Sequence, residues 1–219
     1  MWRFTERSIR WLLLSGIAGL IFLSAGQIPF AAEKKETARF SVRKAEEYTA
    51  RQKSDEVTIA AELFRSDSQC QQVFGIKNMV SRGVLPVLVV VENGGKTAIE
   101  MDSRFIYLTL PESRQQPLEM PQLLGLLKQK SSSIPIPLPI PQISLSGANP
   151  YPLLESKLFD VKQIPPGQSD YGFVFYHMPR RDMWKQVRNL YLPRVINMVT
   201  HESLLYFEIP FLPLSESTS

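Results

Sequence analysis

From residue 57 onward, apolar residues fall in short runs that end at proline, glycine or asparagine, and few runs are long enough for a helix. Residues 57–64 (VTIAAELF) mix β-branched and aromatic side chains and predict a first strand. Residues 65–83 are polar, pinned by Val73, Phe74 and Ile76, and predict a helical turn. Residues 84–92 (VLPVLVVVE) are nearly continuously apolar, which predicts a strand buried on both faces in the middle of a sheet. Asn93, Gly94 and Gly95 then supply a tight reversal. Strand pattern resumes over 99–102 and 105–110, with Phe105, Tyr107 and Thr109 on one face and Ile106, Leu108 and Leu110 on the other.

Residues 120–130 (MPQLLGLLKQK) predict a short amphipathic helix, with Pro121 at its start and Lys128 and Lys130 at its negative end. Residues 134–143 (IPIPLPIPQI) alternate proline with aliphatics, which forbids a central strand and predicts an extended, polyproline-like insertion. Strand pattern returns over 153–162, and Ile164-Pro165-Pro166-Gly167 is a turn. Residues 171–176 (YGFVFY) form a strong strand. Residues 179–186 are a polar connection, and 187–199 with 204–211 read as a closing hairpin. About seven short strands separated by turns, without βαβ alternation, predict an all-β antiparallel sandwich over 57–213, followed by a fraying tail at 214–219.

The start of the chain follows a different rule. Residues 1–10 are basic and residues 11–23 carry no charge, which is the pattern of an export signal. Cleavage after Ala25 or Gly26 would release the domain; an uncleaved apolar stretch over 11–32 would tether it to the inner membrane. Either outcome puts the domain outside the cytoplasm, in the periplasm or beyond, touching membrane only through this segment. No cysteine follows the apolar stretch, so a lipid-modified cysteine is excluded. Residues 33–56, rich in Glu, Lys and Arg, read as a solvated linker.

Charge narrows the function classes. Half of the formal +4 belongs to the leader, where Arg3, Arg7 and Arg10 outweigh Glu6, so the domain has no general electrostatic case for nucleic acid. Cys70 stands alone, so no internal disulfide exists and a packed, inert thiol is expected.

The stretch 45–93 resembles a group of exported bacterial proteins without assigned activity. The resemblance is carried by Val57-Thr58-Ile59-Ala60-Ala61, Val73-Phe74-Gly75, Gly83-Val84-Leu85-Pro86-Val87 and Glu92-Asn93. Ile164-Pro165-Pro166-Gly167 with Gly172-Phe173-Val174-Phe175 resembles the matching strand of bacterial immunoglobulin-like domains. These are strand-and-turn motifs. The resemblance implies an immunoglobulin-like fold and an envelope location, and it carries over no active site.

Catalytic motifs are near-misses. Gly95-Lys96-Thr97 ends like a phosphate loop, yet Val90 stands where the loop needs a glycine, and the sequence continues as strand. His201-Glu202 opens like a zinc-protease helix, but Leu205 occupies the second ligand position. His177, with Glu202 or Asp182, would complete a metal site only if the fold gathered them. No G-x-S-x-G elbow occurs. The expectation is therefore no enzyme, no metal and no cofactor.

Two surface features remain as candidate partner contacts. Ile134, Pro135, Ile136, Pro137, Leu138 and Pro139 form a stiff apolar ridge suited to an envelope protein. Arg180, Arg181, Trp184 and Arg188, with Lys185, form a basic and aromatic cluster suited to an acidic polysaccharide or a lipid head group. The expected function is a binding or structural module acting through its surface. The alternatives are an accessory subunit or chaperone that pairs strands, which requires a long open sheet edge, and a hydrolase, which requires a pocket lined by acids or histidines.

Overall fold

A computed structural model of the protein describes residues 40–128, 151–180, 182–204 and 206–211. All of them fall in one compact unit, Thr37–Ser219. The leader, the proline-rich ridge at 134–139 and Arg181 lie outside the described residues.

The fold grows outward from β3 (Val84–Asn93), in which nine of ten residues are buried. It lies between β2 (Val57–Leu63) and β8 (Ser169–His177), and β1 (Arg51–Ser54) pairs with β2, giving an antiparallel sheet of order β1-β2-β3-β8. The continuous apolar run at 84–92 thus becomes a central strand, as its composition requires. Pro86 is tolerated there because the Phe64 N–H donates to its carbonyl on the β2 side. Its missing N–H therefore faces the point where β2 has just ended.

Two further antiparallel sheets cover one face. β4 (Ile99–Met101) lies between β7 (Lys162–Ile164) and β10 (Val195–Asn197). β5 (Tyr107–Thr109) and β9 (Asn189–Leu192) form the centre of the other sheet, with β6 (Arg114–Gln115) and β11 (Phe207–Pro210) at its edges. Ile59, Val87, Val89, Val91 and Val174 from the first sheet meet Met101, Leu108, Leu190, Leu192 and Phe207 from the other two in one core. The described body is thus mostly β, with antiparallel sheets packed face to face.

The chain departs from the sequence expectations in four places. First, the charged stretch 33–56 is not a linker throughout. Ala45 and Tyr48 are buried, the Glu92 carboxylate accepts from the Ala45 N–H at 2.8 Å, and β1 hydrogen-bonds along β2. The hairpin leaves little trace in the sequence because its turn residues, Asp55 and Glu56, both take positive φ without being glycine.

Second, 153–162 is not a strand. Pro152 starts a short helix, α3 (Pro152–Ser156), because proline fits a first turn where its missing N–H is not needed. The next residues lie along β8: Phe159 N–H donates to the Phe173 carbonyl and Phe173 N–H to Lys157. Gly172 permits this approach, since a Cβ there would sit 2.7 Å from the Phe159 backbone.

Third, the closing hairpin is split. β9 joins β11, whereas β10 crosses to β4, because Pro193 and Arg194 break the run between them. Fourth, two layers become three. α1 (Asp67–Phe74), α2 (Met120–Lys128) and α3 cover the other face of the first sheet, where Cys70, Phe74, Leu123, Leu127 and Leu154 pack on Leu88, Val90, Phe173 and Phe175. That third layer is why β3 has no polar face.

Candidate functional site

The outward faces of the two smaller sheets bear the polar and aromatic chemistry. Alternation forces this arrangement. In β4, Ile99 and Met101 point into the core, so Glu100 points out between Ile196 of β10 and Gln163 of β7. In β5 and β9, Leu108 and Leu190 point in, so Tyr107 and Tyr191, paired across the strands, point out.

Where the chain passes from β4 to β5, a short 3₁₀ turn (Ser103–Phe105) is capped by Asp102. The Asp102 carboxylate accepts from the Arg104 backbone N–H at 2.9 Å and from the Arg104 side chain, Nε at 2.9 Å and NH2 at 2.5 Å. This fork-to-carboxylate contact holds the Asp102 carboxyl below its ordinary value, with Arg194 adding a smaller pull in the same direction. A cleft of about 410 Å³ opens here, lined by Glu100, Asp102, Arg104, Phe105, Val161, Arg194 and Ile196.

Two arginines on this side lie over aromatic rings. The Arg194 guanidinium lies 4.9 Å above the Phe105 ring, and that of Arg114 lies 4.2 Å above Tyr191. Neither takes part in the ion pairs formed among the described residues, which join Arg43 to Glu62, Arg104 to Asp102 and Lys162 to Asp170. Stacking orders a guanidinium while leaving its N–H fork open, so both arginines are held without an ion pair among the described residues, with Asp102 near Arg194. Tyr191 continues the aromatic row to Tyr107 at 6.5 Å and to Tyr206 at 6.0 Å; Tyr206 is 55% exposed.

The residues singled out in the sequence fall elsewhere. Trp184 is half-buried and packs with Met183 on the core. The cations over its ring are Arg65 at 5.5 Å and Lys185 at 5.9 Å, not Arg180 or Arg188. Arg180 is exposed and its carbonyl closes the following turn. The Arg188 backbone is tied to Thr109 and Phe211, and the residue is exposed. Cys70 is fully buried, and burial, with Asp67 nearby, pushes its thiol up to about 12. His177 ends β8, and His201 sits exposed in a turn at φ 58°. Among the described residues, no group of three or more His, Cys, Asp or Glu side chains is placed to hold a metal ion. Among the same residues, no helix is long and apolar enough to cross a membrane.

No family model matches the chain, and no curated protein does. A solved structure with similarity is that of the inferred lipoprotein ycdA from Bacillus subtilis subsp. subtilis str. 168, at 13% identity and a TM-score of 0.38. The match covers 74% of this chain but 38% of that one, so this chain spans well under half of its length. A likeness of that size carries no argument about role, and the functional reading rests on the site.

Proposed function

We propose that the protein is a non-catalytic binding module of the bacterial envelope, built as an immunoglobulin-like sandwich and acting through the outer face of its two smaller sheets. The observation that carries this reading is Arg194, which lines the cleft, lies over Phe105 and forms no ion pair among the described residues. A stacked, unpaired guanidinium suits a ligand that brings its own anionic group. The leader pattern at 1–32 and the resemblance to exported proteins support the location.

The alternatives have less support. A hydrolase working with paired carboxyls needs one kept protonated near neutral pH, whereas Arg104 keeps Asp102 ionised. A strand-pairing chaperone needs an open edge. β8 is bonded on its outer side to Leu118 and to residues 157–159, and on β11 the Glu208 N–H is taken by Gln52 beside Pro210.

The test is a photo-reactive side chain placed at Phe105, and separately at Gln72 on α1, in the full chain in living cells. Adducts in the envelope fraction from position 105 and not from 72 are expected. Equal adducts from both positions, or a chain confined to the cytoplasm, would contradict the proposal.

A further inference from the structure

We infer that the ligand of this face is an acidic polysaccharide, a glycan whose pyranose rings carry carboxylates; this rests on the binding-module reading above. Its stations would be the Arg194–Phe105 pair at one end, the Arg114–Tyr191 pair at the other, and Tyr107 and Tyr206 beside them.

The register sets the scale. Arg114 lies opposite Thr109, which lies opposite Asn189. The Arg114 guanidinium sits over Tyr191, and Arg194 follows Tyr191 by three positions, just past the end of β9, roughly 10 Å of chain. Two open guanidinium forks at that separation, with aromatic rings between them, fit an extended chain better than a compact ligand. A small anion would fill one station and leave the other idle. An arginine fork takes a carboxylate in two parallel hydrogen bonds, and the C–H face of a pyranose stacks on a tyrosine ring.

The acids on the same side select among polyanions. Glu100 and Asp102 line the cleft, and Glu208 lies across from Tyr191. An anionic bilayer surface pressed onto this face would set a dense layer of phosphates against all three carboxylates. A glycan offers hydroxyl donors between its carboxylates, so the same acids become acceptors.

The test is calorimetric titration of the full-length chain, in mild detergent, with hexagalacturonate and with its methyl ester, which keeps the rings but removes the charge. Wild type is expected to bind the acid form. Arg114→Gln and Arg194→Gln should each weaken binding about tenfold, the loss of one charge-assisted contact, and the methyl ester should lose at least as much. Partition onto phosphatidylglycerol vesicles should be the same for wild type and the double variant. Equal binding of acid and ester, unchanged binding in the double variant, or no binding of the acid form would overturn the inference. So would vesicle binding that depends on the two arginines. If hexagalacturonate fails while position 105 still forms its specific adduct in cells, the glycan assignment falls and the binding-module reading stands.

Discussion

β3 and β9 are both central strands flanked by two antiparallel neighbours, yet they carry opposite information. β3 is buried on both faces, because helices cover one side of its sheet and strands the other. β9 alternates, with Leu190 and Leu192 inward and Asn189 and Tyr191 outward. A strand enclosed on both sides can only be selected for packing. A strand with one face free can hold its place in the core and still present chemistry. Packing makes the first sheet the source of stability, and the proposed function puts recognition on the outer faces of the other two.

The comparison can be broken most forcefully at Val89. Val89→Asp places a charge in the fully buried centre of the core and should cost more than about 4 kcal/mol, enough to unfold the chain. Cooperative unfolding of a soluble variant in urea, near the wild-type midpoint, would contradict the inner assignment.

The alkaline limb comes next. Burial pushes the folded Cys70 thiol up to about 12 from an ordinary value of 9.0. Between those values the unfolded chain gives up a proton that the folded chain keeps, so stability falls as pH rises. The slope is about 1.4 kcal/mol per pH unit, or roughly 2–3 kcal/mol by pH 11. Tyr176, raised by burial while its hydroxyl donates to the Ile106 carbonyl, acts in the same direction. Urea titrations from pH 8 to 11 should show the decline, and Cys70→Ala should reduce it.

Gly172→Ala sharpens the inner edge. Its new Cβ meets the Phe159 backbone, and a loss of about 2 kcal/mol is expected, with faster amide exchange over residues 157–159. The smallest effect belongs to the outer face. Tyr191→Thr keeps a strand-compatible residue and loses a cross-strand aromatic contact, so thermal unfolding should register about 1 kcal/mol or less.

Much of the inner region is legible in the sequence because burial leaves a compositional trace. The run at 84–92, the turn at Gly167, and the inward set Ile106, Leu108 and Leu110 all read correctly, since hydrophobic periodicity is a local signal, whereas Gly94 and Gly95 make a bend that carries the chain to another sheet instead of a tight reversal. Asn93 even joins two of these motifs: its side chain donates to the Thr97 and Ile164 carbonyls. The α1 start is also marked, by Ser66 and Gln69 forming a capping box. β1 is harder to see because Asp55 and Glu56 lack the Asn-Gly signature of their turn.

The candidate site is nearly illegible, for a different reason. Arg114 and Tyr191 are far apart in the chain, and only the β6-β5-β9 register brings them together. The cluster at 180–188 stands out in the sequence because its residues are neighbours there, and in the structure its Trp184 packs in part on the core. Proximity along the chain is a poor guide to a surface assembled from four strands. The outward alternation of Phe105, Tyr107 and Thr109 was the usable local hint.

The most direct measurement is amide chemical-shift mapping of the full chain titrated with hexagalacturonate. The account predicts shifts at Phe105, Tyr107, Arg114, Tyr191 and Arg194, with β3 and α1 silent. Shifts centred on Gln71 and Gln72 of α1, or none at all, would contradict it.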